Sequence, residues 1–304
     1  MALFLVTGGA GFIGSHIVEM LRQRHEDVRV FDNFSTGKRA NLENVAGIDI
    51  VEGDVRDAAA LHKAVNGVDY ILHLAAQVSV PQSMSDPLTT HAINVTGTLN
   101  VLIAAAAYKV RRVVFTSSCA VYGDNDELPL PENTLTQPLS PYAASKLMGE
   151  MYCQTFYRVS GLPTVCLRYF NVYGARQDPH GAYAAAIPRF IQRMGQGQPP
   201  VIYGDGTQTR DFVHVSDVVR ANLLACECDQ AGGQVFNIAT GHGVSLLQLV
   251  TVLNNLQGTA YTPEFQPPRR GDIKHSLGSG AKAARLLQFT PKMPLREGLA
   301  GMLS

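Results

Sequence analysis

A phenol and an ammonium stand four residues apart in Tyr142-Ala143-Ala144-Ser145-Lys146. At that spacing both side chains reach one face of a helix, so they can meet at one site. Such a pair can hold a tyrosinate for proton transfer. Moving a tyrosine from its ordinary pKa near 10 to about 7 takes roughly 4 kcal/mol, and a lysine about 4 Å away at an effective dielectric near 20 supplies a Coulomb term of that size. The apolar run 113–117 ends shortly upstream in two hydroxyls, Ser117 and Ser118. A second feature opens the chain, where Thr7-Gly8-Gly9-Ala10-Gly11-Phe12-Ile13-Gly14 follows Leu3-Phe4-Leu5-Val6. A buried strand ending in such a turn brings backbone against a pyrophosphate at the positive end of the next helix. Asp32 lies 18 residues beyond Gly14 at the end of the run 28–31, placed to bond the adenosine ribose hydroxyls. A carboxylate there repels a 2′-phosphate, so the expected cofactor is NAD rather than NADP.

Those groups need a scaffold that delivers them to one edge. Apolar, β-branched runs at 3–6, 28–31, 48–51, 70–74, 113–117 and 164–167 alternate with helical stretches. The alternation predicts a Rossmann α/β fold, a doubly wound parallel sheet with ligands at the strand carboxyl ends. Thr7, Asp32, Asp54, His73, Ser117, Ser118 and Arg168 all fall at such ends. Residues 89–107 are Ala-rich and proline-free and predict one long helix; Ser140-Pro141 starts another over 142–159. Past Arg168 the texture turns proline- and glycine-rich, which suits a smaller C-terminal α/β domain closing over a substrate. The run 234–239 reads as a strand returning to the main sheet. The expected division is 1–168 with 212–240 for the dinucleotide, and 169–211 with 241–304 for the substrate.

With 304 residues, 46% hydrophobic and 16% charged, the chain can bury a large core, and its formal net charge is zero. No basic cluster argues for nucleic acid or an anionic membrane surface. No apolar run reaches the roughly 18 residues of a membrane span, and no leader-like segment precedes the first strand, so a cytoplasmic protein is expected. The five cysteines (Cys119, Cys153, Cys166, Cys226, Cys228) lack metal-ligand spacing and read as reduced thiols, with no metal site expected.

Taken together with His73-Leu74-Ala75-Ala76, Ser117-Ser118-Cys119-Ala120-Val121-Tyr122-Gly123 and Arg168-Tyr169-Phe170-Asn171-Val172-Tyr173-Gly174, these motifs resemble the extended short-chain dehydrogenase/reductases over essentially the whole chain. The resemblance implies a nucleotide-sugar enzyme with tightly held NAD and a homodimer formed through two long helices. It implies cofactor contacts from Gly8, Gly11, Phe12, Ile13, Gly14, Asp32, Asn33, Ser35, Gly37, Asp54, Val55, Leu74, Ala75, Ala76, Tyr142, Lys146 and Tyr169. Tyr142, Lys146 and Ser118 are the implied catalytic groups. Asn171, Arg210, Arg269, Asp272 and Ser276, with Ser118 and Tyr142, are the implied contacts to a UDP-sugar.

Relatives that dehydrate or decarboxylate sugars keep acidic residues where this chain has Cys119 and Ala120, neither of which can serve an elimination. Relatives acting on uronic acids replace Asn171 by threonine. What remains is C4 epimerisation of a UDP-hexose through a 4-keto sugar. Ser276 matches a position beside the sugar 2-substituent where a tyrosine excludes bulk, so N-acetylhexosamines are expected to fit, with or without the non-acetylated pair. Two alternatives stay open here, a reductase or dehydrogenase that releases its cofactor and an NAD-binding sensor without turnover. Asp54 reads equally as an adenine contact or a turn starter, Asn94 as a local bond or a clamp on a strand end, and His73 as packing near the cofactor cleft. Cys119 is also similar to a cysteine acid or base of sugar epimerase-reductases, but its spacing to the next tyrosine is one residue longer.

Overall fold

The computed structural model describes residues 1–180, 185–268 and 273–303. Its first part runs β1 (Leu3–Thr7), α1 (Phe12–Gln23), β2 (Asp27–Asp32), β3 (Ile48–Glu52), α2 (Ala58–Val65), β4 (Tyr70–His73), α3 (Val80–Ser85), α4 (Pro87–His91), α5 (Gly97–Ala107), β5 (Arg112–Ser118), α6 (Pro141–Ser160) and β6 (Thr164–Tyr169). The rest runs β7 (Asn171–Tyr173), α7 (Ala186–Gly195), β8 (Val201–Tyr203), β9 (Thr209–His214), α8 (Val215–Glu227), β10 (Gln234–Ile238), β11 (Gly243–Ser245), α9 (Leu246–Gln257), β12 (Glu264–Gln266), β13 (His275–Ser276), α10 (Ala281–Leu286) and α11 (Leu295–Leu303).

Seven strands pair in parallel in the order β10-β6-β5-β4-β1-β2-β3. The winding direction reverses between β1 and β4, and a doubly wound sheet opens its ligand crevice at that reversal. Successive side chains of a strand point to opposite faces. Phe4 and Val6 accordingly join a core with Ile17, Val30, Val114 and Phe236 on one side. Leu5 joins Phe31, Leu61, Val101, Val113 and Phe115 on the other. The run expected to return to the sheet does so, as β10 beside β6.

Helix α6 begins where the serine-proline signal places it. The Ser140 hydroxyl accepts from the Ala143 N–H at 3.1 Å, and Gly161 ends the helix at φ +70°. The single helix expected over 89–107 is interrupted: α4 passes into a π turn at Ala92–Thr96 before α5 begins.

A second sheet is built around β9, which pairs antiparallel with β11 and parallel with β13 and β7, while β8 pairs with β12. It packs on its own apolar cluster, including Tyr173, Phe190, Ile202, Phe212, Leu249 and Leu253. The division expected at 211/212 falls inside β9, all six residues of which lie in this second sheet, so the chain rejoins the first sheet's layers only with α8. No helix among the described residues is long and apolar enough to cross a membrane.

Candidate active site

The glycine turn is shaped by its own packing as well as for a ligand. Gly8 sits at φ +69°, and a Cβ there would stand 2.8 Å from the Ala75 nitrogen. A Cβ on Gly14 would stand 2.2 Å from the Gly8 oxygen, so α1 enters directly against the turn. No side chain caps the first N–H groups of α1 and no acidic residue lies in its first turn. That helix end is open to a phosphate, and the cradle fits the pyrophosphate of a dinucleotide.

Asp32 is 7% exposed, and its carboxylate ties the turn together by accepting from the Ala10 N–H at 2.9 Å and the Phe34 N–H at 2.8 Å. A carboxylate has about four acceptor positions, so two remain for ribose hydroxyls. Asp54 accepts from the Arg56 side chain and backbone and from the Asn33 amide. The Arg56 bonds hold its carboxyl well below the usual range. Asp54 is thus a turn-forming residue that also lines the cleft.

Tyr142, Ser118 and Lys146 converge where β5 meets α6. Burial raises the Tyr142 phenol to about 12, while a hydrogen bond with Ser118 pulls the other way. The Ser118 oxygen also accepts from the Ala120 N–H at 3.2 Å, which fixes the short turn Cys119–Tyr122. Lys146 is 3% exposed; its ammonium donates to the Thr116 carbonyl at 2.8 Å and lies 5.2 Å from the Phe115 ring centroid. Burial lowers it to about 8. The expected Coulomb lowering of the phenol by this lysine is therefore corrected. Desolvation governs both groups and drives their pKa values apart, each toward its neutral form, the phenol upward and the ammonium downward.

Below this cluster, Glu150 accepts from the Ser117 hydroxyl and from Arg168, at 2.9 Å from Nε and 2.7 Å from Nη2. The pair is nearly dry, with side chains 3% and 6% exposed.

One cleft of about 1240 Å³ is lined by every expected cofactor residue, together with Ser118, Asn171 and Arg210. The second sheet explains the last two. Register places Asn171 opposite Phe212 and Ser276 opposite Arg210, so three distant segments share one surface. The Asn171 side-chain oxygen is buried without a partner, a polar end suited to a ligand donor. Arg210 donates to the carbonyls of Thr209 and Lys274. Ser276 lies behind the cleft wall, its hydroxyl 3.9 Å from the Cys119 sulfur, and burial raises that thiol to about 11. Arg269 and Asp272 lie outside the described residues. Lining residues such as Gln77, Gln177, Arg189 and Gln208 were not singled out in the sequence, although the last three lie in the stretches 171–190 and 204–214 that resemble the family's substrate-binding segments.

A doubly wound sheet whose glycine turn, Tyr-x-x-x-Lys helix and strand-end serines share one cleft defines a dinucleotide-dependent enzyme of the short-chain dehydrogenase/reductase class. The chain belongs to the NAD dependent epimerase/dehydratase family, whose model matches residues 4–239. The UDP-glucose 4-epimerase of Mycolicibacterium smegmatis is 39% identical over 301 residues, covering 97% of this chain and 96% of that protein. Among solved structures, the UDP-N-acetylglucosamine 4-epimerase of Methanobrevibacter ruminantium, in complex with UDP-N-acetylmuramic acid, superposes with a TM-score of 0.95 at 40% identity. That match covers 99% of this chain and 97% of the other. The Thermus thermophilus UDP-glucose 4-epimerase in complex with NAD superposes with a TM-score of 0.90 at 38% identity, covering 99% and 97%.

Proposed function

We propose that this protein is an NAD-dependent 4-epimerase of UDP-hexoses. One observation carries the reading: Tyr142, Ser118 and Lys146 share a single cleft with the glycine turn, and the positions beside Ser118 hold Cys119 and Ala120. The site has a proton acceptor for one hydroxyl, and neither position beside Ser118 holds a carboxylate for elimination. NAD, when bound, supplies the transient oxidation and reduction at the sugar carbon. Gly8, Gly11, Gly14 and Asp32 hold its adenosine half, and Lys146 bonds the nicotinamide ribose. Tyr142 removes the proton of the 4-hydroxyl and returns it to the 4-keto oxygen on the opposite face, with the Ser118 hydroxyl bonded to the same oxygen. Asn171, Arg210 and, from the sequence, Arg269 hold the diphosphate while the keto sugar turns over, and Asp272 takes the uridine ribose.

The small, buried Ser276 supports acceptance of UDP-GlcNAc and UDP-GalNAc. The test is incubation of purified protein with UDP-GlcNAc or UDP-Gal and no added cofactor, followed by NMR. The expected result is the C4 epimer of UDP-GlcNAc, with or without that of UDP-Gal. Conversion of UDP-Gal alone defeats the reading of Ser276, and conversion of neither defeats the epimerase.

We further infer a homodimer through α5 and α6, whose outer faces expose Ile103, Met148, Met151 and Tyr152 at 46%, 42%, 61% and 37%. Light scattering on Met151→Lys is expected to show a shift toward monomer.

A further inference from the structure

His73 ends β4 inside the sheet, 1% exposed, and the mechanism above gives it no task. Its two ring nitrogens face two threonines. Nδ1 lies 2.7 Å from the Thr7 hydroxyl and Nε2 lies 3.0 Å from the Thr98 hydroxyl. The proton order along this line is set by its ends. The Thr98 hydroxyl is 2.6 Å from the Asn94 backbone oxygen, which carries no proton, so Thr98 donates there. Having one proton, Thr98 can only accept from His73, and Nε2 must bear the hydrogen. Nδ1 is then an acceptor for the Thr7 hydroxyl, whose own oxygen accepts from the Ala75 N–H at 3.3 Å. Every joint is consistent with one neutral tautomer. Burial, aided by the positive charge of Lys146, lowers the ring to about 3, so it stays neutral; the other aromatic neighbour, Phe115, lies 5.8 Å away centroid to centroid.

The two ends of the line matter for different reasons. Thr7 is the last residue of β1, directly before Gly8, and Ala75 lies in the loop against which the glycine turn packs. Thr98 holds the carbonyl of Asn94, which sits in the π turn. The Asn94 amide in turn brackets Gln77, accepting from its N–H at 2.8 Å and donating to its carbonyl at 3.0 Å. The same amide donates to the Ser145 hydroxyl at 2.9 Å, and Ser145 donates to the Tyr142 carbonyl at 2.7 Å. Single-turn π segments are frequent where a helix must redirect a side chain at a functional site. Here the redirected side chain joins the cofactor loop to the catalytic helix.

We propose that His73 is a positioning residue: as the Nε2–H tautomer it ties the strand end under the glycine turn, through Thr7, to the π turn carrying Asn94, through Thr98, and so sets the Tyr142 helix against the cofactor cleft. A fully satisfied buried network of this kind rigidifies what it connects, and a broken one leaves a polar group unpaired. The two arms have separable effects. The Thr7 arm supports dinucleotide retention; the Thr98 arm supports the rate.

The proposal rests on the epimerase reading for its rate arm only. Thr7→Val and Thr98→Val keep side-chain shape and each removes one arm. The full-length protein as purified is assayed for co-purifying NAD and for turnover with saturating NAD and UDP-sugar. Thr7→Val is expected to lose NAD retention roughly tenfold with kcat near wild type, and Thr98→Val to lose kcat roughly tenfold with retention unchanged, each from the unpaired His73 nitrogen and the backbone bond lost with it. His73→Asn, which keeps an acceptor near the Nδ1 place, should follow Thr98→Val; His73→Gln, which keeps a donor near the Nε2 place, should follow Thr7→Val. Both arms moving the same parameter, or neither moving any, overturns the division of labour. Independently of activity, ring-nitrogen NMR of 15N-histidine-labelled wild type, assigned by loss of the signal in His73→Gln, should show an Nε2–H ring that does not titrate between pH 5 and 8. An Nδ1–H ring or a titrating one overturns the tautomer and the proposal with it. If the wild type shows no epimerase turnover, the function above fails while the retention and NMR outcomes still decide the clamp.

Discussion

Gly11 and Gly14 make the same tripeptide spacing look uniform, yet the structure asks different things of them. Gly14 is needed by the protein itself. An alanine Cβ there would lie 2.2 Å from the Gly8 oxygen and 2.8 Å from the Gly9 Cα, both backbone, so the turn must move by roughly 1 Å to restore ordinary contact. Overpacking of this kind costs about 3 kcal/mol, the upper end of the usual range. In a chain of this size that lowers Tm by roughly 6 °C. Gly11 differs. It has φ −75° and ψ 179°, which any residue adopts, and a Cβ would meet only the Gly8 oxygen, at 3.2 Å. Losing glycine at a helix N-cap costs up to about 1 kcal/mol, and the reduced freedom of the unfolded chain returns about as much, so Gly11→Ala should melt within roughly 2 °C of wild type. If glycine is there so that the pyrophosphate can approach the backbone, Gly11→Ala should still lose NAD about tenfold or more. The assay pairs calorimetry of the dinucleotide-free proteins with nucleotide released on heat denaturation of the proteins as purified. Gly11→Ala that retains NAD, or that melts as low as Gly14→Ala, refutes the assignment of Gly11 to the ligand.

Tyr142→Phe should keep its NAD and lose turnover by roughly 100- to 10,000-fold, the range for a removed general base; an active variant removes Tyr142 from proton transfer. In dinucleotide-free protein, the near-ultraviolet difference between wild type and Tyr142→Phe should show no phenolate below about pH 10, since burial pushes this tyrosine to about 12. Glu150→Gln strips the counter-charge from a buried guanidinium and should cost about 3 to 5 kcal/mol, read by denaturant melts; the double variant with Arg168→Met should recover much of it, and a single variant as stable as wild type contradicts the pair's burial. For Lys146, whose pKa falls from 10.5 to about 8 by burial, the folded state carries the full desolvation penalty below pH 8. The unfolded chain binds more protons between pH 8 and 10.5, so stability rises with pH across that window. Relative to Lys146→Met, wild type should gain up to about 3 kcal/mol from pH 8 to 10.5, and a pH-independent difference counts against a buried charge.

The parallel sheet and its strand ends were legible because a buried parallel strand must be an unbroken β-branched run and must stop where its polar residues begin, as at Thr7, Asp32 and Ser118. Helix α6 was legible because Ser140, Pro141 and Gly161 punctuate it locally. The π turn was not. Residues 92–96 contain neither proline nor glycine, and their interruption answers to partners far along the chain, His73 through Thr98 and Gln77 through Asn94. Ser276 beside Arg210 was equally invisible, since only strand register brings positions 66 residues apart into line.

The active pair shows where spacing stops being informative. A separation of four puts Tyr142 and Lys146 on one face of α6, and by charge alone the tyrosine loses its proton before the lysine does. Burial depends on what packs over that face, and it reverses the order: the lysine sits at about 8 and the tyrosine at about 12. Raising the pH of the resting site therefore discharges Lys146 while the phenol is still neutral, which is the opposite of a stored tyrosinate. Bringing Tyr142 from about 12 to neutrality takes about 7 kcal/mol of differential stabilisation. One ammonium at 4 Å falls short of that at the effective dielectric of such sites. The remainder would have to come from a second positive charge, which bound NAD would supply at its nicotinamide ring, because Tyr142 can take the 4-hydroxyl proton only after it has given up its own.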